Sequence, residues 1–130
     1  MRLWPLEIID QLPRQQLLGQ HRECCALRGK GWGRKHSTVD YVFRHPYAFL
    51  WKYHLVVMFE MMNRGYTVNN NWLDPFWRGK QIGHDYSDFT DGSDQSVWKA
   101  YPEHNEKYLK ECIQNLARKG VIIERKEKAA

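Results

Sequence analysis

Arg22 and Glu23 form a neighbouring acid–base pair inside a stretch of helical periodicity, and Gly19 lies one turn ahead of the carboxylate. A residue without a side chain at that spacing leaves room for a bulky ligand to approach the Glu23 carboxylate closely. Most helix-borne glutamates are solvated surface charges, so the pair needs support from elsewhere in the chain. A second concentration of ionisable groups is HDYSDFTDGSD, where Asp85, Asp88, Asp91 and Asp94 recur every three residues beside His84. Such oxygen ligands suit magnesium or calcium and offer a metal-dependent nuclease as one alternative. The spacing is not that of an EF-hand loop, however, and aspartates among Gly and Ser commonly form solvated turns, so no metal is expected. Cys24 and Cys25 adjoin Glu23, whose charge raises a thiol's pKa, so they are expected to pack and not to attack substrate. None of Ser37, Ser87, Ser93 and Ser96 stands in a Gly-x-Ser-x-Gly elbow.

The elements that must carry these residues follow from apolar periodicity. After Pro13 the chain runs to Leu27 with no breaker but Gly19, and Leu17, His21, Cys24 and Arg28 share one face, with Leu18 and Cys25 beside it. That spacing predicts a helix, ended by Gly29, Gly31 and Gly33. The basic Arg34, Lys35 and His36 lead into a short segment, Val39 to Phe43, that reads as extended. Pro46 opens a second helix with the stripe Leu50, Tyr53, Val57 and Met61; with Gly65 as its stop it should run about 19 residues, or roughly 28 Å. Residues 66–97, punctuated by Pro75, Gly79, Gly83 and Gly92, read as structured loop. A last helix is expected to begin near Pro102, present Leu109, Cys112, Ile113 and Leu116, and stop at Gly120. Glu103 with Lys107, and Glu106 with Lys110, then make i,i+4 pairs on its wet side. NRGYTV and ARKGVI are alike only as helix endings, and the tail ERKEKAA is expected to fray. The fold class is thus mainly α: one compact domain over residues 1–130, with three main helices and long structured loops.

A length of 130 residues, 42% of them hydrophobic and 14% aromatic, suits one such domain and excludes long disorder. No apolar run is long enough to span a bilayer, and MRLWPLEIID lacks the apolar core of a signal peptide, so neither a membrane nor secretion is expected. Three cysteines without disulfide or zinc spacing fit a reduced, cytoplasmic protein, read here as a monomer associated with the nucleoid. The net charge of +5 is uneven: residues 81–97 carry four acids and no base, which leaves +9 on the remainder. A surplus of that size favours a polyanionic partner, because neutralised phosphates release counterions and steer association.

Several motifs occur in an order that resembles one family. Gln15, Leu17, Arg22 and Glu23 lie on the first long helix, close behind the amino terminus, and the basic Arg34, Lys35 and His36 follow. Next come the helix ending Asn63, Arg64, Gly65, Tyr66 and the run Phe76, Trp77, Arg78, Gly79 before His84 and Asp85. Over residues 1–85 this pattern resembles the pyrimidine-dimer DNA glycosylases of the bacteriophage endonuclease V type. The resemblance implies a DNA repair glycosylase with AP lyase activity, acting without a cofactor on pyrimidine dimers or abasic sites in double-stranded damaged DNA. In that family's chemistry the chain's own α-amine attacks the deoxyribose C1′, expels the base and forms an imine. β-Elimination then cuts the strand with help from the helix carboxylate that Glu23 matches.

The implied nucleophile is the α-amine of Met1, because methionine is generally retained ahead of a residue as large as Arg2. Near pH 7.5 roughly a third of an α-amine is neutral, against about a tenth of a per cent of a lysine, so the terminus is the better nucleophile. Arg2, Gln15, Arg22, Arg34, Lys35 and His36 are the implied DNA-binding residues, with Arg14, Arg118 and Lys119 as further candidates for phosphate contact. Trp32, Trp72 and Trp77 offer stacking surfaces for a distorted base, although packing is the commoner use of a tryptophan. The chain departs from the family at His21 and Ala26, where the family has an aromatic and a basic residue. It departs again in ERKEKAA, which lacks the family's aromatic carboxy-terminal segment. A non-catalytic DNA-binding module of the same fold is the second alternative.

Overall fold

Prolines set the first helical starts. Pro5, Pro13 and Pro46 each stand just ahead of a helical segment with an extended ψ of 147°, 161° and 142°, where a missing N–H removes no helical hydrogen bond. In the computed structural model, which describes residues 2–29, 39–86 and 101–125, they open in turn a 3₁₀ segment Leu6–Gln11, α1 (Arg14–Arg28) and α2 (Tyr47–Asn63). The third α-helix, α3 (Glu106–Arg118), starts differently: the Asn105 side chain accepts from the Tyr108 N–H at 2.9 Å. Helices α2 and α3 end alike. Gly65 (φ 84°) and Gly120 (φ 82°) take the left-handed conformation, and the next residues, Tyr66 and Val121, bond back to the carbonyls of Met61 and Leu116 at 2.9 Å. The likeness of NRGYTV and ARKGVI is this shared cap.

Helix α2 is the central element, burying Leu50, Tyr53, Val57, Met58 and Met61. It packs on α1, which contributes Leu17, Cys24 and Leu27, and on Leu6–Gln11. Leu109, Cys112 and Leu116 of α3 join the same core, together with Leu3, Ile8, Ile9 and Leu12 from the start of the chain. The architecture is mainly α, and among the described residues no β-strand forms; Trp77 and His84 make an isolated bridge in the loop after α2. No described helix is long and apolar enough to cross a membrane.

Three local expectations are corrected. Val39 to Phe43 is not extended: Asp40–Arg44 is a 3₁₀ turn closed by the Val42 N–H on the Val39 carbonyl at 3.1 Å. A lone β-branched stretch has no strand to pair with, and the chain must turn here before Pro46. Helix α3 begins at Glu106, not near Pro102, because His104 turns inward to bond Tyr41 and Asn105 then caps the helix. Glu103 consequently lies outside the helix and pairs with His45 at 2.8 Å instead of with Lys107, while Glu106 pairs with Arg125 at 2.6 Å. Helix α2 spans 17 residues, slightly short of the expected length, and Gly65 is its stop as anticipated.

Candidate active site

The start of the chain is bound, not loose. The side-chain amide of Gln20, on α1, donates to the Arg2 carbonyl at 3.2 Å and accepts from the Trp4 N–H at 2.6 Å. Tyr108 of α3 donates to the Leu3 carbonyl at 2.7 Å, and Tyr53 of α2 donates to the Trp4 carbonyl while lying 2.9 Å from Gln20 Oε1. Burial pushes both phenols well above the ordinary tyrosine range, so at neutral pH both hydroxyls keep the proton they donate. Fixing three backbone residues costs about 3–6 kcal/mol. Four hydrogen bonds, two buried and two partly so, at about 1 kcal/mol each, with burial of Leu3 and Trp4 at about 2 kcal/mol or more each, outweigh that cost.

Glu23 is half-buried on α1, three residues beyond Gln20, a spacing that makes the two side chains neighbours on one flank of the helix. Next to that flank runs a stripe through Gln15, Gly19 and Arg22, exposed at Gln15 and Arg22 and half-buried at Gly19. A Cβ on Gly19 would meet the flexible end of Arg22, its Nη2, at 3.8 Å, so the approach to the helix at this point is bounded by a movable cation. Arg2 is half-buried, with its guanidinium 5.8 Å and 5.9 Å from the ring centres of Trp4 and Tyr108 and 3.7 Å from the Cys112 sulfur. Of the expected site residues, then, Arg2 has its carbonyl held by Gln20 of α1 while its guanidinium lies against Trp4, Tyr108 and Cys112, and Gln15 and Arg22 are exposed on α1. Met1, Arg34, Lys35 and His36 lie outside the described residues, as do Trp32, Asp88, Asp91 and Asp94.

The opposite flank of α1 holds a polar cluster that the sequence alone did not disclose. Arg28 is fully buried, and all five of its N–H groups are used: on the Tyr47 hydroxyl, on His54 Nδ1, and on the carbonyls of Trp72, Asp74 and Trp77, at 2.7–3.0 Å. Its guanidinium also faces the rings of Trp51 and Trp72 at 5.2 Å and 4.9 Å. Arg78, another residue of the family pattern, is likewise buried, donating to the Arg28 carbonyl and lying 3.9 Å over the Tyr47 ring. Neither arginine is a surface phosphate contact. The signal that could have found them was the cluster Tyr47, Trp51, Trp72, Trp77, which gives a buried guanidinium its aromatic faces.

His21, Cys25 and His54 bring their ligand atoms within 4.8 Å of one another, a group of the type that holds a metal ion. Arg28 sets a different polarity. Because a guanidinium only donates, His54 Nδ1, 3.0 Å away, must present a lone pair, and the ring's proton sits on Nε2. That proton is given to His21 Nδ1 at 2.8 Å. A metal between the rings would need the lone pair on His54 Nε2, hence a proton on Nδ1 aimed at another donor. The cluster is therefore a chain of neutral imidazoles. Both pKa values are lowered, that of His54 far more, by burial first and then by neighbouring arginine charge. Burial pushes the Cys25 thiol up to about 12 and the Cys24 thiol well above its ordinary value, so neither is a thiolate nucleophile.

Beyond Cys25 a cavity of about 260 Å³ opens between the end of α1 and the loop after α2, lined by Ala26, Trp72, Arg78, Gly79 and Lys80 among others. Ala26 continues the stripe of Gln15 and Arg22 by one turn, so the cavity adjoins that surface. Trp72 and Trp77 meet edge to face with centroids 6.5 Å apart, and Trp72 also abuts His54, which makes packing the larger part of their role.

No curated protein and no solved structure matches the chain. The family model described as pyrimidine dimer DNA glycosylase matches residues 1–74, a span that takes in the bound chain start, α1 with Arg22 and Glu23, and α2. The chain belongs to the pyrimidine dimer DNA glycosylase family.

Proposed function

We propose that this member of a DNA repair glycosylase family couples base excision to AP lyase cleavage at pyrimidine dimers or abasic sites in duplex DNA, with the α-amine of residue 1 as nucleophile. The observation that carries the proposal is the Gln20 clamp on Arg2 and Trp4, which moors the chain start on α1 within one turn of Glu23. Residue 1 is a single peptide unit, about 3.8 Å between Cα atoms, from an anchored residue.

The neutral amine forms a C–N bond at C1′ as the glycosidic bond breaks, and the base leaves with a proton. The C1′–O4′ bond then breaks, the second amine proton passes to O4′, and the imine results. Glu23 takes a C2′ proton, the electron pair becomes a C2′–C3′ double bond, and the C3′–oxygen bond to phosphate breaks. Water then hydrolyses the imine and returns the amine. Gln15 and Arg22 exposed on α1, Arg2 beside the chain start, and Arg34, Lys35 and His36 in the segment after α1 are the proposed DNA contacts. The cavity beside Ala26 offers space for a nucleotide extruded from a duplex already weakened by damage.

Borohydride trapping on ultraviolet-irradiated and on abasic duplex DNA, followed by mass mapping of the linked peptide, tests the reading. An adduct on the α-amine of residue 1 is expected, formed equally in excess EDTA. An adduct on a lysine would refute the nucleophile. Binding without any adduct would leave the non-catalytic module, and loss of cleavage in EDTA would favour the acidic-loop nuclease.

A further inference from the structure

Carbonyls 2, 3 and 4 are each held by a side chain from a different helix: Arg2 by Gln20 of α1, Leu3 by Tyr108 of α3 and Trp4 by Tyr53 of α2. Three supports at successive carbonyls, on three non-collinear elements, suppress both translation and rotation of the strand, where one anchor would leave it free to swing. Gln20 is the keystone. Arg2 C=O demands a donor and Trp4 N–H demands an acceptor, so the amide's orientation is dictated by its partners, and it spans residue 3 as a neighbouring β-strand would. Gln20 is only 2% exposed. An apolar residue of the same volume would fill that space without the cost of desolvating an amide, so what the amide adds is direction.

We propose that Gln20, together with Tyr108 and Tyr53, is a positioning device for the nucleophile, aiming the backbone that carries the α-amine at the sugar carbon while Glu23 waits on the same flank of α1. The inference rests on the α-amine reading above. Holding reactants in near-attack geometry supplies a large share of an enzymatic rate, and a misplacement of about 1 Å costs about 100-fold. These side chains act through backbone atoms of residues 2–4 and not on DNA, so their loss should slow bond formation far more than it weakens duplex binding, in which Arg2 is one contact among several.

The test compares wild type with Gln20→Met, which keeps the shape and loses the amide's bonds to Arg2, Trp4 and Tyr53, and Tyr108→Phe, which loses one hydroxyl from a half-exposed ring. Single-turnover borohydride trapping is measured at saturating abasic duplex across pH, with the duplex Kd determined separately. The expected result is a plateau trapping rate lowered about 100-fold in Gln20→Met and about tenfold in Tyr108→Phe, with a much smaller change in Kd and the apparent pKa of the amine unchanged. Should Gln20→Met fail to fold, Tyr108→Phe carries the comparison. Wild-type plateau rates in the folded variants would overturn the positioning role, as would rate losses matched by equal losses in binding. Failure of the wild type itself to link through its α-amine is a separate outcome, seen before any variant is made, and overturns the underlying reading together with this one.

Discussion

Glu23 and Arg22 are adjacent, yet their substitutions should separate cleanly. Glu23→Gln removes the proton acceptor but keeps the shape, so strand scission should fall about 100-fold or more while duplex binding holds. Unchanged cleavage in a gel assay would make Glu23 an ordinary surface charge. Arg22→Ala should weaken binding to all duplexes alike and reduce the slope of log K against log salt by about 1, the signature of one lost phosphate contact. On the far flank, the forced tautomers predict that nitrogen NMR will find His54 Nδ1 without a proton and Nε2 with one. Added zinc should leave Tm unchanged; a rise would mean that the ion binds the folded state and that the polarity imposed by Arg28 had been misjudged. Arg22 and Glu23 could be picked out as candidates in the sequence because a charged pair on a helix is read by residue type alone. Gln20 and His54 could not, and Arg28 was legible only as a member of the face it shares with Leu17, His21 and Cys24: a Gln at helical spacing reads as solvated, and only the fold reveals that Gln20 holds residues 2–4 and that Arg28 joins His54 to the carbonyls of Trp72, Asp74 and Trp77.

The three helices were legible as elements because each buries a stripe at the 3.6-residue period and each ends at a glycine. What escaped was everything held by single side chains to backbone. The 3₁₀ segment Leu6–Gln11 has no periodic signature and is tied to the far end of the chain by Gln11, which exchanges two hydrogen bonds with the Glu124 backbone at 2.7 and 2.8 Å. Arg64, read as part of a family motif, joins α2 to the carbonyls of Asp10 and Leu12 at 3.1 and 2.7 Å. The loop after α2 is likewise organised from outside itself, by Arg28. Lysine at that position offers three donors instead of five and no planar face for Trp51 and Trp72. Arg28→Lys should therefore destabilise by about 3 kcal/mol or more, read as a lowered urea midpoint, because several loop carbonyls are left without donors. A midpoint within experimental error of wild type would mean that the loop holds itself.

At the scale of the molecule, buried imidazoles make stability depend on pH. Burial brings His104 down to about 4, and it lowers His54 and His21 as well, whereas a histidine in the unfolded chain titrates near 6.5. Between those values the unfolded chain binds protons that the folded chain refuses. Their contribution is thus fully present above about pH 6.5 and is lost as pH falls toward 4, with His104 alone accounting for on the order of 3 kcal/mol. Calorimetric Tm values should drop over that window, and less steeply in His104→Phe; a flat profile would contradict neutral burial. The reach of Arg28 carries a further consequence for where this molecule can be cut. The family match stops at residue 74, but the guanidinium buried beneath it is completed by the carbonyl of Trp77, and the strand bearing Leu3 is completed by Tyr108. A fragment truncated at residue 74 would lose one of the five Arg28 partners, the Tyr108 bond to Leu3 and the apolar residues that α3 adds to the core, so it should be less stable than the whole chain, read as a lower urea midpoint.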